Sequence, residues 1–370
     1  MKEQLVQVID KKDLQVLILT DGYNIHHLSG YRGRTGMLVA FQGEQYILTD
    51  SRYTEQVELE APEFTCVDIG REGYSKTIAA MVQKAFAKEG RSTLRIGFEN
   101  KEISYMQYQA FVDTFAKELT GMQVEFVPLE DAVNVYREVK TEDEIAKLAR
   151  AEQIGDEAFT EIVKFIHENW KDGLTEQRVA LQLEYEMRLR GAEGTSFDTI
   201  AASGSNSSLP HAMPQPKLLA EGDFLTMDFG CMYQGYCSDM TRTIHIGEVV
   251  ESEQKKVYDT VLQAQLAALS VVKPGMVCSD VDKCARDIIA DAGYGDYFGH
   301  GLGHSVGLFI HEEPRFSMKC DAVLKPGVVI TVEPGIYLPG RFGVRIEDMI
   351  VVTEDGYQNL ASSPKELICV

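Results

Sequence analysis

Apolar residues recur along the first third of the chain in two alternating rhythms. The runs LQVLILT, MLVAF, QYILT, FTCVDI, LRIGFE and VEFVPL have the length and side-chain types of strands. Between them, SKTIAAMVQKAFAKE and SYMQYQAFVDTFAKEL space their apolar side chains at about 3.6 residues and predict amphipathic helices. MLVAF and QYILT flank a Gln-Gly-Glu turn and predict a hairpin. This alternation predicts a compact α/β domain over residues 1–130. The stretch PLEDAVNVYREVKTEDE is charged and lacks an apolar period, which predicts a link over 131–141. Thr141 and Glu144 have the spacing of a capping box, so a long helix should follow through IAKLARAEQIGDEAFTEIVKFIHEN.

The remainder, 142–370, repeats itself. LLAEGDFLTMDFG and VLKPGVVITVEPG match at Leu219/Leu324, Gly222/Gly327, Thr226/Thr331, Asp228/Glu333 and Gly230/Gly335, offset by 105 residues. Upstream, Gly173/Gly275, Val179/Val281 and Gly191/Gly293 match at an offset of 102. Downstream, Asp239 in SDMTRTI falls against Glu347 in IEDMIVV at an offset of 108. Ordered matches at a nearly constant offset predict two related halves, each a helix pair with strands. Each half then contributes two acids on neighbouring strands, and a pseudo-twofold axis would bring all four together.

Those acids lie in apolar, glycine-flanked runs. Asp228, Asp239, Glu333 and Glu347, together with His304, sit in LTMDFG, YCSDMTRTI, ITVEPGIY, GVRIEDMIVV and HGLGHSVG. A carboxylate is costly to bury without a partner. Four of them beside one imidazole call for positive charge, and a pair of divalent cations supplies it. The oxygen-rich set suits manganese, then cobalt or iron(II), with zinc also admitted. Two such ions about 3.5–4 Å apart activate a water and polarise a carbonyl together. Glu333 is the candidate general base, and His311 and His211 are candidates to stabilise an oxyanion or protonate a leaving nitrogen.

Composition narrows the rest. A 44% hydrophobic content in 370 residues supports real cores and about two domains. The formal charge of −21 argues against nucleic acid as a partner. No apolar run reaches membrane-spanning length, and the opening MKEQLVQVIDKKDLQVLIL lacks a signal core, so a cytoplasmic protein is expected. Seven cysteines without a C-x-x-C pair predict buried thiols rather than disulfides or a zinc knuckle. His26, His27, His167 and His245 lack comparable context and are read as structural.

The motifs DFGCMYQGYCSDMTRT, FGHGLGHSVGLFIHEEPRF, ITVEPGIYLP and GVRIEDMIVV resemble the pita-bread metallopeptidases, in the branch of Xaa-Pro aminopeptidase and Xaa-Pro dipeptidase (prolidase). The resemblance spans about 137–370, and residues 1–130 are similar to the smaller N-terminal domain of the proline-specific members and of creatinase. It implies an α+β fold with a pita-bread domain of pseudo-twofold halves behind an α/β domain. It implies that Asp228 binds one metal through both oxygens, that Asp239 and Glu347 bridge two metals, and that His304 and Glu333 complete the ligands of the other metal. It places His300, His311 and His211 facing substrate, Arg345 supporting the site and positioning substrate, and Tyr337 among the substrate-binding residues. It also implies a homodimer and a peptide substrate. A silent binding module or a metal-free creatinase-like hydrolase would not need the five ligand positions, which here are all filled.

TDSRYTEQ, Thr49 to Gln56, resembles a stretch common in the aminopeptidases and favours removal of an N-terminal residue that precedes proline. Arg32 and Arg34 in GYRGRTG depart from that pattern. They, or Arg315 four residues after His311, offer a cation to a substrate carboxylate, which a dipeptidase needs.

Overall fold

The computed structural model describes residues 2–370 with the exception of Lys88, Gly90 and Val249. The chain divides into two compact units, Met1–Arg137 and Glu138–Val370.

The first unit contains strands β1 (Val16–Leu19), β2 (Met37–Phe41), β3 (Glu44–Thr49), β4 (Thr65–Asp68), β5 (Thr93–Phe98) and β6 (Gln123–Pro128). They form one sheet in the order β4-β3-β2-β1-β5-β6. β1, β2 and β3 pair antiparallel, while β4, β5 and β6 join in parallel. The turn of the β2–β3 hairpin places Gln42 and Gly43 at φ 52° and 81°, the left-handed pair that a two-residue loop requires. The helices are α1 (Lys2–Lys12), α2 (Gly22–Ser29), α3 (Thr54–Glu60), α4 (Gly73–Phe86) and α5 (Tyr105–Glu118). α4 and α5 follow the apolar period. The other three leave little pattern, because α3 buries only Val57 and α2 is defined by its ends. Asp21 accepts a hydrogen bond from the Tyr23 amide at one end of α2, and Gly30 turns left-handed at the other. The unit runs to Arg137 rather than stopping at residue 130. Val133 is buried with Leu129, and the Arg137 guanidinium lies 3.4 Å from the Asp21 carboxylate.

A buried carboxylate ties this unit together. Glu99 accepts hydrogen bonds from the Thr20 and Asp21 amides at 2.6 and 2.7 Å and from Asn24 Nδ2 at 2.6 Å. Burial lifts it from an ordinary 4.5 to about 7, although those donors pull it down. The folded chain therefore holds a proton that the unfolded chain releases. The stabilisation is complete below about pH 4.5 and is lost as pH rises through about 7. Glu99→Gln should flatten this dependence in the hydrogen exchange of β1 and β5 amides. Equal pH slopes in variant and parent would contradict the assignment.

In the second unit, Thr141 and Glu144 form the capping box, with Glu144 N to Thr141 Oγ1 at 3.3 Å and Thr141 N to Glu144 Oε2 at 2.8 Å. Helix α6 (Glu142–Asn169) follows, then α7 (Glu176–Leu189). Their apolar faces, including Ile154, Phe159, Val179 and Leu183, pack on strands β7 (Gly194–Thr195), β8 (Ile200–Ser203), β9 (Phe224–Phe229), β10 (Cys231–Tyr233), β11 (Tyr236–Cys237) and β12 (Met240–His245). The second half has α8 (Ser252–Val271) and α9 (Cys278–Asp291). Its strands are β13 (Gly303–Ser305), β14 (Glu312–Phe316), β15 (Val329–Val332), β16 (Gly335–Leu338), β17 (Phe342–Arg345), β18 (Asp348–Val352) and β19 (Tyr357–Asn359). Val261, Val281 and Ile289 of its helices pack against Ile330, Val332 and Ile350.

The sequence repeat is a structural repeat. α7 and α9 each have 14 residues and begin 102 positions apart, at 176 and 278. The bridge Thr175↔Leu218 recurs as Val277↔Val323. The paired glycines repeat because their conformation repeats: Gly173 and Gly275 both have φ 85°, and Gly222 and Gly327 have 89° and 86°. The observed architecture is thus α+β, with a smaller α/β unit preceding a larger one built of two related halves.

Candidate metal centre and substrate cavity

The ligand candidates stand where strand alternation aims them. In β9, Leu225, Met227 and Phe229 enter the core under α6 and α7, which turns Thr226 and Asp228 to the opposite face. Thr226 meets Thr243 of β12 at 3.0 Å there. In β15, Ile330 and Val332 face the second helix pair, and Thr331 turns away to donate to Glu333 Oε1 at 3.3 Å. The same hydroxyl accepts the His304 amide at 3.1 Å, so one threonine fixes two candidate ligands. Gly303 lets β13 come this close, since a Cβ there would lie 2.0 Å from the Thr331 carbonyl oxygen. Asp239 and Glu347 immediately precede β12 and β18, at matching points of the two halves.

A cavity of about 830 Å³ is lined by Asp228, Asp239, His304, Glu333 and Glu347, and by His211, His300, His311, Arg315 and Arg345. Among the expected site residues only Tyr337 stands behind this wall, where it receives Arg345 Nη1 at 2.7 Å. Arg32 and Arg34 belong to the first unit, in the loop after α2. Ligand atoms of Asp239, His304 and Glu347 all lie within 4.8 Å of one another. His304 Nε2 is 3.4 Å from Asp239 Oδ2 and 3.5 Å from Glu333 Oε1.

Four acids meet one guanidinium here, and the electrostatics show the imbalance. Burial raises Asp239 well above the carboxylate range, and Glu347, Asp228 and Glu333 add to it. Glu347 is raised well above its ordinary value by burial and then by Glu333 and Asp228, against the pull of Arg345 and Thr241. Burial pushes Glu333 up to about 8, with Arg345 opposing and Asp228 reinforcing. His304 is driven down to about 3, by burial first and by His311 next, so it is a neutral imidazole. Its Nδ1 faces the Ser305 carbonyl at 3.2 Å and must carry the hydrogen, which leaves the Nε2 lone pair pointing at carboxylate oxygens. That lone pair meets Asp239 Oδ2 at 3.4 Å and Glu333 Oε1 at 3.5 Å. Asp228 Oδ1 is likewise buried with no hydrogen-bond partner among the described residues. This donor set fits divalent cations.

The surrounding groups divide into engaged and available ones. Arg345 spends its donors within the protein: Asp228 Oδ2 at 2.6 Å, Tyr337 Oη at 2.7 Å, Thr241 Oγ1 at 3.0 Å and the Pro210 carbonyl at 3.3 Å. His300 has both nitrogens occupied, Nδ1 by the Gly301 carbonyl at 2.7 Å and Nε2 by Tyr337 Oη at 2.9 Å. Burial, then Arg345, lowers it to about 4. The tyrosine hydroxyl, burial-raised to about 12, thus links Arg345 to His300. His311 stacks edge-on against His304 with ring centres 4.6 Å apart, and burial and Arg315 lower it. His211 is exposed on a loop beside Pro210. Arg315 is exposed and pairs with the equally exposed Glu313 at 3.0 Å.

Sequence reading missed Thr241, which donates to Glu347 Oε2 and receives Arg345 Nε. It also missed Glu152, a fully buried acid whose Oε2 accepts the Asp239 amide at 3.3 Å. Thr241 was detectable as the residue sharing a strand face with Asp239. Glu152 carried no signal, since it reads as one more charge on a long helix.

Residues 146–354 match the model of metallopeptidase family M24, and residues 2–139 match the creatinase/prolidase N-terminal domain. The chain belongs to metallopeptidase family M24. This M24 chain is 39% identical over 366 residues to the uncharacterized peptidase YqhT of Bacillus subtilis (strain 168), covering 99% of each. It superposes on an Xaa-Pro dipeptidase from Bacillus anthracis with a TM-score of 0.89 and 38% identity, covering 100% of this chain and 99% of that one. An X-Pro aminopeptidase from Thermotoga maritima matches with a TM-score of 0.86 and 34% identity over 98% and 100% of the two chains. No described helix of this M24 chain is long and apolar enough to cross a membrane.

Cations bind the anionic forms of these acids, so binding must expel the protons that burial retains. Adding Mn2+ to metal-free protein at pH 7 should release at least one proton per chain, and the share of Glu333 should vanish above about pH 8. Calorimetry in two buffers of different protonation enthalpy reads this directly. Release of no protons would contradict the raised carboxyl values.

Proposed function

We propose that this M24 peptidase is an Xaa-Pro dipeptidase. The observation that carries the proposal is Arg315. It sits on the wall of the cavity that holds the acids, and its ion pair is with a solvent-exposed Glu313 rather than with the buried acids. A guanidinium there suits the free carboxylate of a proline dipeptide. The likeness to the Bacillus anthracis dipeptidase supports the same reading. The TDSRY stretch, which favoured an aminopeptidase, has a local explanation. Arg52 clasps Asp50 through Nε and Nη2 at 2.8 and 2.9 Å, and Thr49 Oγ1 binds the Thr35 carbonyl, so the stretch builds the turn into α3. The Thermotoga maritima likeness keeps the aminopeptidase as the second reading.

Asp228, Asp239, His304, Glu333 and Glu347 would hold two divalent cations, with manganese first by donor chemistry. When bound, such a pair supplies Lewis acidity for a scissile carbonyl and acidifies water. Glu333 accepts the proton of the attacking water at its carboxylate. The proline nitrogen of the substrate is a tertiary amide and leaves only after protonation. The proton that Glu333 takes from water returns to that nitrogen, with His311 on the cavity wall as the relay that accepts it and hands it on, while His211 at the cavity edge steadies the carbonyl oxygen. His300, with both nitrogens engaged, orients Tyr337 and Arg345 rather than moving protons.

Hydrolysis of Xaa-Pro dipeptides, Xaa-Pro tripeptides and longer peptides with added Mn2+ tests the assignment. Dipeptides should be preferred. Arg315→Leu should raise KM for the dipeptide by about tenfold or more with little change in kcat. Equal turnover of long peptides, untouched by that substitution, would favour the aminopeptidase. His311→Ala should lower kcat by roughly 10²-fold at unchanged metal content. Glu347→Ala should abolish hydrolysis while the circular dichroism spectrum stays that of the parent.

A further inference from the structure

β12 and β18 deliver Asp239 and Glu347, yet they belong to different sheets. No strand ladder sets the distance between the two carboxylates. One main-chain bond, Glu347 N to the Thr241 carbonyl at 3.1 Å, and a buried polar hub join them. Arg242 is 1% exposed, and its Nη1 donates to the carbonyl oxygens of Thr241, at 2.9 Å, and of Glu347. Its Nη2 donates to Asp348 Oδ1 and to the Ser363 carbonyl, both at 2.8 Å, and its Nε to the Pro364 carbonyl at 3.0 Å. Asp348 is fully buried, and its Oδ2 accepts from Gln265 at 2.9 Å, Asn359 at 2.8 Å and Lys365 at 2.6 Å. One side chain thus grips the strand of each ligand and the segment 359–365 near the end of the chain.

The ring closes on α6. Asp156 accepts four hydrogen bonds from the amides and hydroxyls of Ser362 and Ser363, at 2.6 to 2.8 Å. One turn earlier, Glu152 accepts the Asp239 amide. A path of direct hydrogen bonds therefore runs from Asp239 through Glu152 and along α6 to Asp156, then through Ser363 and Arg242 to Glu347.

Resting on the reading of the five acids and imidazole as a cation centre, we propose that Arg242 and Asp348 are positioning residues of that centre. Through them the segment 359–365 belongs to it as well. Five donors in a planar fork lock two backbones and a carboxylate at fixed angles, which the point charge of a lysine cannot do. Loosening the fork lets β18 drift from β12 and widens the gap that a cation must span. Partners of this kind, one bond removed from the ligands, commonly set metal affinity.

The test uses the full-length chain, stripped by chelation and dialysed against graded MnCl2, with bound ions counted by elemental analysis and the fold followed by circular dichroism. Arg242→Lys should weaken binding of at least one of two ions by roughly 10- to 100-fold. Lys365→Met, at the 20% exposed rim of the hub, should weaken it in the same direction. For both variants, kcat should fall at limiting Mn2+ and recover in excess, with KM unchanged. Folded variants that bind manganese with the parent's stoichiometry and affinity overturn the proposal. Where Arg242→Lys does not fold, Lys365→Met decides by the same criterion. A parent chain that binds no manganese fails differently, because it removes the cation centre itself.

Discussion

Four carboxylates share one buried space, and among the described residues Arg345 is the permanent cation that bonds to one of them. Everything else in the larger unit answers to that constraint. Burial of an ion costs several kcal/mol even after relaxation, so Asp239, Glu333 and Glu347 are pushed toward the protonated form unless cations match their charge. The retained protons on Asp239, Glu333 and Glu347, the lone pair of His304 and the orphaned Asp228 oxygen are consequences of the same deficit. A chain that needed only stability would do better with apolar groups of the same volume. Keeping the acids makes sense for a molecule that concentrates divalent charge.

The doubled architecture is what makes such crowding feasible. Each half supports its strands on its own helix pair, so each presents its acids from a rigid apolar base. The halves then meet through short polar side chains. Thr226 meets Thr243, Thr241 meets Glu347 and Arg345 meets Asp228, with no solvent between them. Arg345 and Arg242 play different parts on the two sides of this seam. The first holds the Asp228 carboxylate and the Tyr337–His300 chain from the cavity side. The second holds backbone from the core side. Together they restrict the acids in both directions, while His311, His211 and Arg315 line the cavity outside that seam.

Much of this was legible in the chain. Asp228, Asp239, Glu333 and Glu347 stood out because carboxylates are rare in apolar strand runs, and the repeat paired them before any geometry was known. The matching glycines were visible because a left-handed backbone admits few other residues. α1, α2 and α3 were not legible, since a helix that buries one or two apolar side chains leaves no period to read. Tyr337 and His300 looked like substrate contacts in the sequence, and their mutual hydrogen bond shows why residue type alone could not decide that.

The sequence by itself determined the two-unit division in outline, the repeat, and the set of ligand candidates. Each of these depends on local chemistry: apolar spacing, backbone conformation, or the cost of a lone buried charge. Only the tertiary structure decided which donors are already spent. Arg242 and Glu152 read as ordinary charges on a strand and a helix, and nothing in the sequence showed that Arg345 binds Asp228 and Thr241 at once. Their roles arise from partners more than 80 positions away. Contacts at that separation are fixed by how sheets and helices stack, and no stretch of chain short enough to show a pattern contains both ends of them.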